Sequence, residues 1–186
     1  MVWLGLNKPI DHVKDYEIDI RQDKNKNALS NQTDLTKSDI AVTIYDNLFK
    51  GYSAPGKSTI SIMTLSDYKP WKKFEKDYFN DSKDAYDKEK HRIAKSFIKK
   101  VEETLIPGLE NMIDIMEIGT PLTNIYYTGN PKGAIYGFDR DMEHLNVTTP
   151  IKGLYLAGAW ASGGGYTPVM MSGRKAAKSL LKIFKS

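Results

Sequence analysis

The 186-residue chain has no cysteine, which excludes disulfides, thiolate metal ligands and cysteine nucleophiles throughout it. It has only three histidines, His12, His91 and His144, far apart and without a carboxylate pattern around them, so neither a metal site nor a histidine general base is expected. No run of about 18 apolar residues occurs, so no membrane-spanning helix is expected. Charge of one sign is not concentrated either. The 27 basic and 23 acidic residues intermingle to a net +4, a weak field with no basic arm for a nucleic acid. A GxGxxG dinucleotide fingerprint and a P-loop are both missing.

What is present suits a folded α+β protein. With 40% hydrophobic residues, 27% charged residues and eleven tyrosines, the chain is too apolar for disorder. Its length allows one domain and a portion of another. Residues 2–6 (VWLGL) read as a strand entered at once, without the leader of a signal peptide, as in a piece of a longer protein. Residues 13–21 read as a second strand, with Tyr16, Ile18 and Ile20 alternating against charged positions, followed by a polar loop over 23–38. Residues 40–49 and 58–65 are strand-like and enclose KGYSAPGK, whose Pro55-Gly56 pair suits a type II turn, and together they imply an antiparallel sheet.

Over residues 85–105 the apolar positions Ile93, Ala94, Phe97, Ile98, Val101 and Leu105 recur every three or four residues, predicting an amphipathic helix stopped by Pro107-Gly108. Residues 111–118 read as a strand or short helix, 125–127 as a short strand, and 153–159 as an apolar strand buried on both faces. A closing helix is expected over 169–184, with Val169, Gly173, Ala176, Ala177, Leu180, Leu181 and Phe184 on one side. A boundary is drawn near Gly119, dividing the chain into residues 1–119 and 120–186.

The most informative stretch is GLYLAGAWASGGGYTPVMMSGRKAA, residues 153–177: an apolar strand, a glycine-rich turn and a helix in succession. Gly158 leaves room at the strand end, and Gly163, Gly164 and Gly165 leave the backbone uncovered. Thr167 suits an N-cap and Pro168 the first helical position, so the amides of Val169 and Met170 are expected to point outward at a helix start that carries about half a positive charge. Spacing alone leaves two readings open, a ligand-receiving helix terminus and a tight strand-to-helix connection with glycines for packing.

The same stretch resembles the carboxy-terminal flavin motif of the phytoene desaturase, carotenoid isomerase and retinol saturase group. TPLTNIYYTGNPKGAIYG at residues 120–137 resembles that group's "TPLT, YTGN, GAIYG" segment, SAPGKST at 53–59 its "APEGKST" turn, and WLGL at 3–6 its "YLGL" strand. The four matches run in the group's order. The resemblance implies an α+β fragment of an FAD/NAD(P)-binding Rossmann-type oxidoreductase: an antiparallel substrate-domain sheet with packed helices, then the last strand and helix of the FAD-binding domain. FAD is the implied cofactor. Gly158 and Ala159 would lie by its pyrophosphate and ribityl chain, and Gly164, Gly165, Tyr166, Val169 and Met170 by the isoalloxazine ring.

The implied activity is saturation, desaturation or isomerisation of an apolar alkene such as a carotenoid or retinoid, with no catalytic residue singled out and no metal. The amino-terminal Rossmann half is the expected partner, from the same gene or a separate subunit, and without it the chain is expected to self-associate and to be inactive. The expected location is cytoplasmic, with contact to a membrane surface allowed. A flavin amine oxidase type is disfavoured because Ala159 stands where an acidic residue would follow Gly158. A noncatalytic module for an apolar ligand or membrane surface is the rival reading. Tyr126, Tyr127 and Tyr136 are expected in the core rather than along a polyene tunnel, and Asp139, Arg140 and Asp141 as turn formers or surface ion pairs.

Overall fold

A computed structural model describes residues 1–21, 34–80, 82–135 and 146–183, the side chains of Ser162 and Ile183 excepted. The chain divides into two compact units, Met1–Thr120 and Pro121–Ser186. Helix and antiparallel sheet are mixed, the α+β class expected.

The first unit is built on a five-stranded sheet: β1 (Val2–Leu6), β2 (Glu17–Ile20), β3 (Ile40–Ile44), β4 (Ser58–Met63) and β5 (Ile113–Ile118). The order is β2-β3-β4-β1-β5, with every neighbouring pair antiparallel. Alternation decides which face turns inward. Val2, Leu4 and Leu6 of β1, Ile40, Val42 and Ile44 of β3, and Ile60 and Ile62 of β4 are all buried. The edge strands β2 and β5 bury less. Pro55 and Gly56 occupy the centre of a turn in which Lys57 N donates to Ala54 O at 3.0 Å, and Gly56 has φ +76°, as a type II turn requires.

The expected strand over 40–49 stops at Ile44, where a helical turn, α1 (Tyr45–Leu48), takes over. Asp46 is the cause. Its carboxylate accepts from the Ser53 amide at 2.9 Å, the Ser53 hydroxyl at 2.8 Å and the Thr59 amide at 2.8 Å, which draws the chain back before it can extend. Tyr45 stacks on Tyr52 over the same loop, ring centroids 4.8 Å apart. The strand expected over 13–21 is shortened to β2 for a related reason. The carbonyls of Val13 and Asp15 accept from the Asn47 side-chain amide at 2.9 and 3.0 Å instead of joining the ladder.

A short helix, α2 (Glu75–Phe79), precedes the long one, α3 (Asp84–Thr104). As the periodicity predicts, α3 buries Ile93, Ala94, Phe97, Ile98 and Val101 on one stripe. Tyr86 is enclosed by Tyr78, Trp71 and Phe74, with centroids 4.9, 6.0 and 6.2 Å away, and its hydroxyl is 2.9 Å from that of Thr120. Residues 111–118 take both forms left open, a 3₁₀ turn over Leu109–Met112 leading into β5.

The second unit holds α4 (Pro121–Thr128), α5 (Ala159–Ser162) and α6 (Tyr166–Ile183). The strand expected over 125–127 is part of α4: Pro121 suits a first helical turn, and the Gly129 amide closes the last one on Ile125 O at 2.8 Å. Tyr126 and Tyr127 are accordingly not core residues. They are 62% and 79% exposed and meet edge to face. The buried strand expected over 153–159 is absent as well. Gly153, Leu154 and Ala157 are exposed, and one isolated bridge, Thr148 to Tyr155, replaces a ladder. An apolar strand is buried only where neighbouring strands flank it, and among the described residues of the second unit there is no strand to flank this segment. Tyr136, Asp139, Arg140, Asp141, His144 and Phe184 lie outside the described residues.

Replacing Asp46 by alanine strands three donors that now meet a carboxylate, and bonds to charged groups are worth about 1.5–3 kcal/mol each when dry. Partial exposure lowers the sum, so Asp46→Ala is expected to cost roughly 2–4 kcal/mol in urea unfolding of the chain. Lys57→Ala removes an ion pair to Asp114 at 2.9 Å between half-exposed side chains and is expected to cost under about 1 kcal/mol. Equal losses would show that the loop does not depend on Asp46.

Candidate functional site

The glycine-rich turn of the second unit owes its shape to backbone that side chains resist. Gly158 has φ +113°, ψ −173°, and Gly163 has φ +90°, ψ +170°; the two flank the four residues of α5. Both lie in a region open essentially to glycine alone, and such residues gather at ligand clamps and active sites. A Cβ built on Gly158 would meet nothing within 4 Å, so its glycine serves the backbone angle and leaves open space beside it. Gly165, with φ +92°, precedes α6.

Each residue expected at the site can now be placed. Gly158 caps α5 and Ala159 begins it, both half-buried. Gly164 and Gly165 are half-buried in the link to α6, and Tyr166, its first residue, is 92% exposed. Val169 is half-buried and Met170 73% exposed, one turn along. The local chain thus gathers all seven around one turn and the start of one helix.

The helix begins earlier than the sequence predicts, which changes its donors. Thr167 and Pro168 are the second and third residues of α6 rather than its cap and first position. The Val169 amide already donates to Gly165 O at 3.2 Å. Met170 lies beyond the first four amides, those that lack a helical acceptor. The amides that lack an acceptor among the described residues are therefore those at the helix entry, of Gly164, Gly165, Tyr166 and Thr167. The same groups carry the positive end of the dipole of an 18-residue helix.

Sequence reasoning missed Ser172. It is fully buried in α6; its hydroxyl donates to Val169 O at 2.6 Å, and the Ser172 Oγ itself accepts from the Gly158 amide at 2.8 Å. A lone serine among MMSG was the only available signal. Trp160, part-exposed on α5, and the buried Ala161 complete the turn. His12 and His91 lie in the first unit with ring nitrogens 3.1 Å from Leu105 O and 2.7 Å from Asp87 O, both exposed. Among the described residues no three His, Asp or Glu side chains converge on a metal position, and no helix is long and apolar enough to cross a membrane.

Because Gly158 has open space, the cost of a side chain there is backbone strain, and Gly158→Ala is expected to destabilise the chain by about 1–3 kcal/mol. Gly173, also with nothing within 4 Å, sits inside α6, and Gly173→Ala is expected to stabilise by roughly 0.5–1 kcal/mol. Circular-dichroism melts moving in the same direction for both variants would contradict the assigned backbone at Gly158.

No family model matches the chain. It is 33% identical over 112 residues to an all-trans-retinol 13,14-reductase of Danio rerio, a match covering 56% of this chain and 18% of that protein. The human protein of the same name is 30% identical over 112 residues, with the same shares covered. A chloroplastic prolycopene isomerase of Daucus carota is 30% identical over 124 residues, covering 63% of this chain and 19% of that one. The resemblance read from the motifs is thus met by proteins bearing these names, and the chain spans less than a fifth of the length of each.

Proposed function

We propose that the chain is the carboxy-terminal part of an FAD-dependent oxidoreductase acting on an apolar alkene such as a retinoid or carotenoid, by saturation, desaturation or isomerisation. The observation that carries the reading is the turn over residues 158–165: glycine-only backbone, open space beside Gly158, and uncommitted amides running into the start of α6. Those features fit a flavin, which needs a close backbone approach and hydrogen-bond donors near its electron-rich edge. The names of the similar proteins support a polyene as the substrate class.

On this reading residues 1–119 are part of a substrate-type domain and 120–186 are the end of a Rossmann-type FAD domain. Gly158 and Ala159 lie along the pyrophosphate and ribityl chain, and Gly164, Gly165 and Tyr166 along the ring, with Val169 and Met170 one turn behind. The bound flavin supplies hydride chemistry. The chain's own residues bind and orient: the amides at the α6 entry donate to the ring's carbonyl edge, and the helix dipole favours negative charge there. The ADP end is held by an amino-terminal half, from the same gene or a separate subunit, in a cytoplasmic enzyme that meets membranes peripherally if at all.

The rival reading, a noncatalytic module for an apolar ligand or membrane surface, is favoured by the exposure of Tyr166, Met170, Met171, Leu180 and Leu181 on α6. The same side chains are those that would promote self-association of the isolated chain.

Titration with FAD separates the two readings. The isolated chain is expected to bind no tighter than about 10 µM, because charge-assisted phosphate contacts worth roughly 1.5–3 kcal/mol each are missing. The protein joined to its dinucleotide-binding half is expected to purify yellow, and Gly165→Val to abolish that colour by straining a φ of +92°. Submicromolar one-to-one binding by the isolated chain would overturn the divided site, and a colourless complete protein would overturn the flavin assignment.

A further inference from the structure

We infer that Ser172 is a positioning residue of the flavin-facing turn, its hydroxyl withdrawing the Gly158 amide from the ligand and so fixing which backbone donors remain. The inference rests on the flavin reading above and adds a residue and a division of labour to it. Ser172 has no solvent exposure and lies in the second turn of α6. A serine hydroxyl has one proton, and here it goes to Val169 O at 2.6 Å, the local back-bond that helical serines favour. Only lone pairs are left, so toward Gly158 the oxygen can act solely as an acceptor, and the Gly158 amide meets it at 2.8 Å across fourteen residues of sequence.

The neighbouring bonds make this contact a clasp. The Gly158 carbonyl accepts from the Ala161 amide at 3.1 Å, and the Ala159 carbonyl from the Gly163 amide at 3.1 Å, which closes the single turn of α5. Gly158 is therefore held on its amide side by α6 and on its carbonyl side by α5, in a backbone conformation that glycine adopts but does not by itself select. The amides of Gly158, Ala161, Gly163 and Val169 are all engaged within the turn. What Gly158 offers a cofactor is space, and polar recognition passes to the amides of Gly164, Gly165, Tyr166 and Thr167.

The test uses the complete protein, with its dinucleotide-binding half, in three variants. Ser172→Ala removes the acceptor, Ser172→Thr keeps it, and Ser172→Cys is nearly isosteric but accepts weakly. FAD dissociation constants, the visible flavin spectrum and hydrogen exchange at the Gly158 amide are measured beside the melting temperature. Ser172→Ala is expected to weaken FAD about tenfold or more, to shift the flavin absorption bands and to speed Gly158 exchange. Ser172→Thr should stay within about threefold of the parent, with the cysteine variant between them. FAD affinity within twofold of the parent and an unchanged spectrum in Ser172→Ala, even with a lowered melting temperature, would reduce Ser172 to a packing residue and overturn the inference. Should the alanine variant not fold, parent-like affinity and spectrum in Ser172→Cys overturn it equally. A parent protein without flavin would remove the flavin reading and this inference together, a result visible before any substitution is made.

Discussion

Every backbone amide buried in a sheet must find an acceptor, and in the first unit β1 is the strand through which two others meet that requirement. It pairs with β4 from Val2–Ile62 to Leu6–Ser58 and with β5 from Val2–Ile118 to Leu6–Ile113. The ladder runs one step past the strand, since Met1 and Gly119 exchange hydrogen bonds of 2.9 Å in both directions. Five apolar or small residues therefore join β4 to β5, and the pairing of β1 with β5 itself spans more than a hundred positions. β5 reaches this edge only after α3 has crossed back, which ties the burial of Phe97 and Val101 to the completion of the sheet.

The second unit is held by a different device. Among the described residues no ladder forms around residues 146–166; the chain is shaped there by bonds between near neighbours and by one buried hydroxyl. Thr149 ties Leu154 O and Ile151 O from one side chain, and Leu156 N reaches Val147 O. Local bonds of this kind fix conformation within a turn while leaving apolar side chains outside, among them Ile151, Leu154, Met170 and Leu181. On the flavin reading, the unbonded amides of this turn and the exposed apolar side chains beside it are what a bound cofactor and the rest of the protein would cover.

How much of this was legible depended on how far apart the deciding atoms lie. The strand character of residues 2–6 and 58–65, the periodicity of α3 and the Pro55-Gly56 turn are decided within a few residues and were readable as such. The helical turn at Tyr45 was not, because Asp46 is satisfied by donors seven and thirteen residues onward. Aromatic residues at 126 and 127 suggested a strand, yet Pro121 and Gly129 bracket a helix whose tyrosines face outward. At the site the composition marked the turn, but not its donors. One extra helical residue pair, Tyr166 and Thr167, moved the free amides upstream of Val169, and a side chain as small as that of Ser172 left no pattern to read.

The three tryptophans are unevenly shared. Trp3 and Trp71 belong to the first unit, the latter buried with its indole N–H on the Ser66 hydroxyl at 2.9 Å, while Trp160 stands on α5 between Gly158 and Gly163. With Trp3 and Trp71 replaced by phenylalanine, the remaining indole emission comes from the glycine turn alone. The candidate site thus carries its own optical reporter, and whatever docks against that turn announces itself as a change in a single fluorophore's intensity and lifetime.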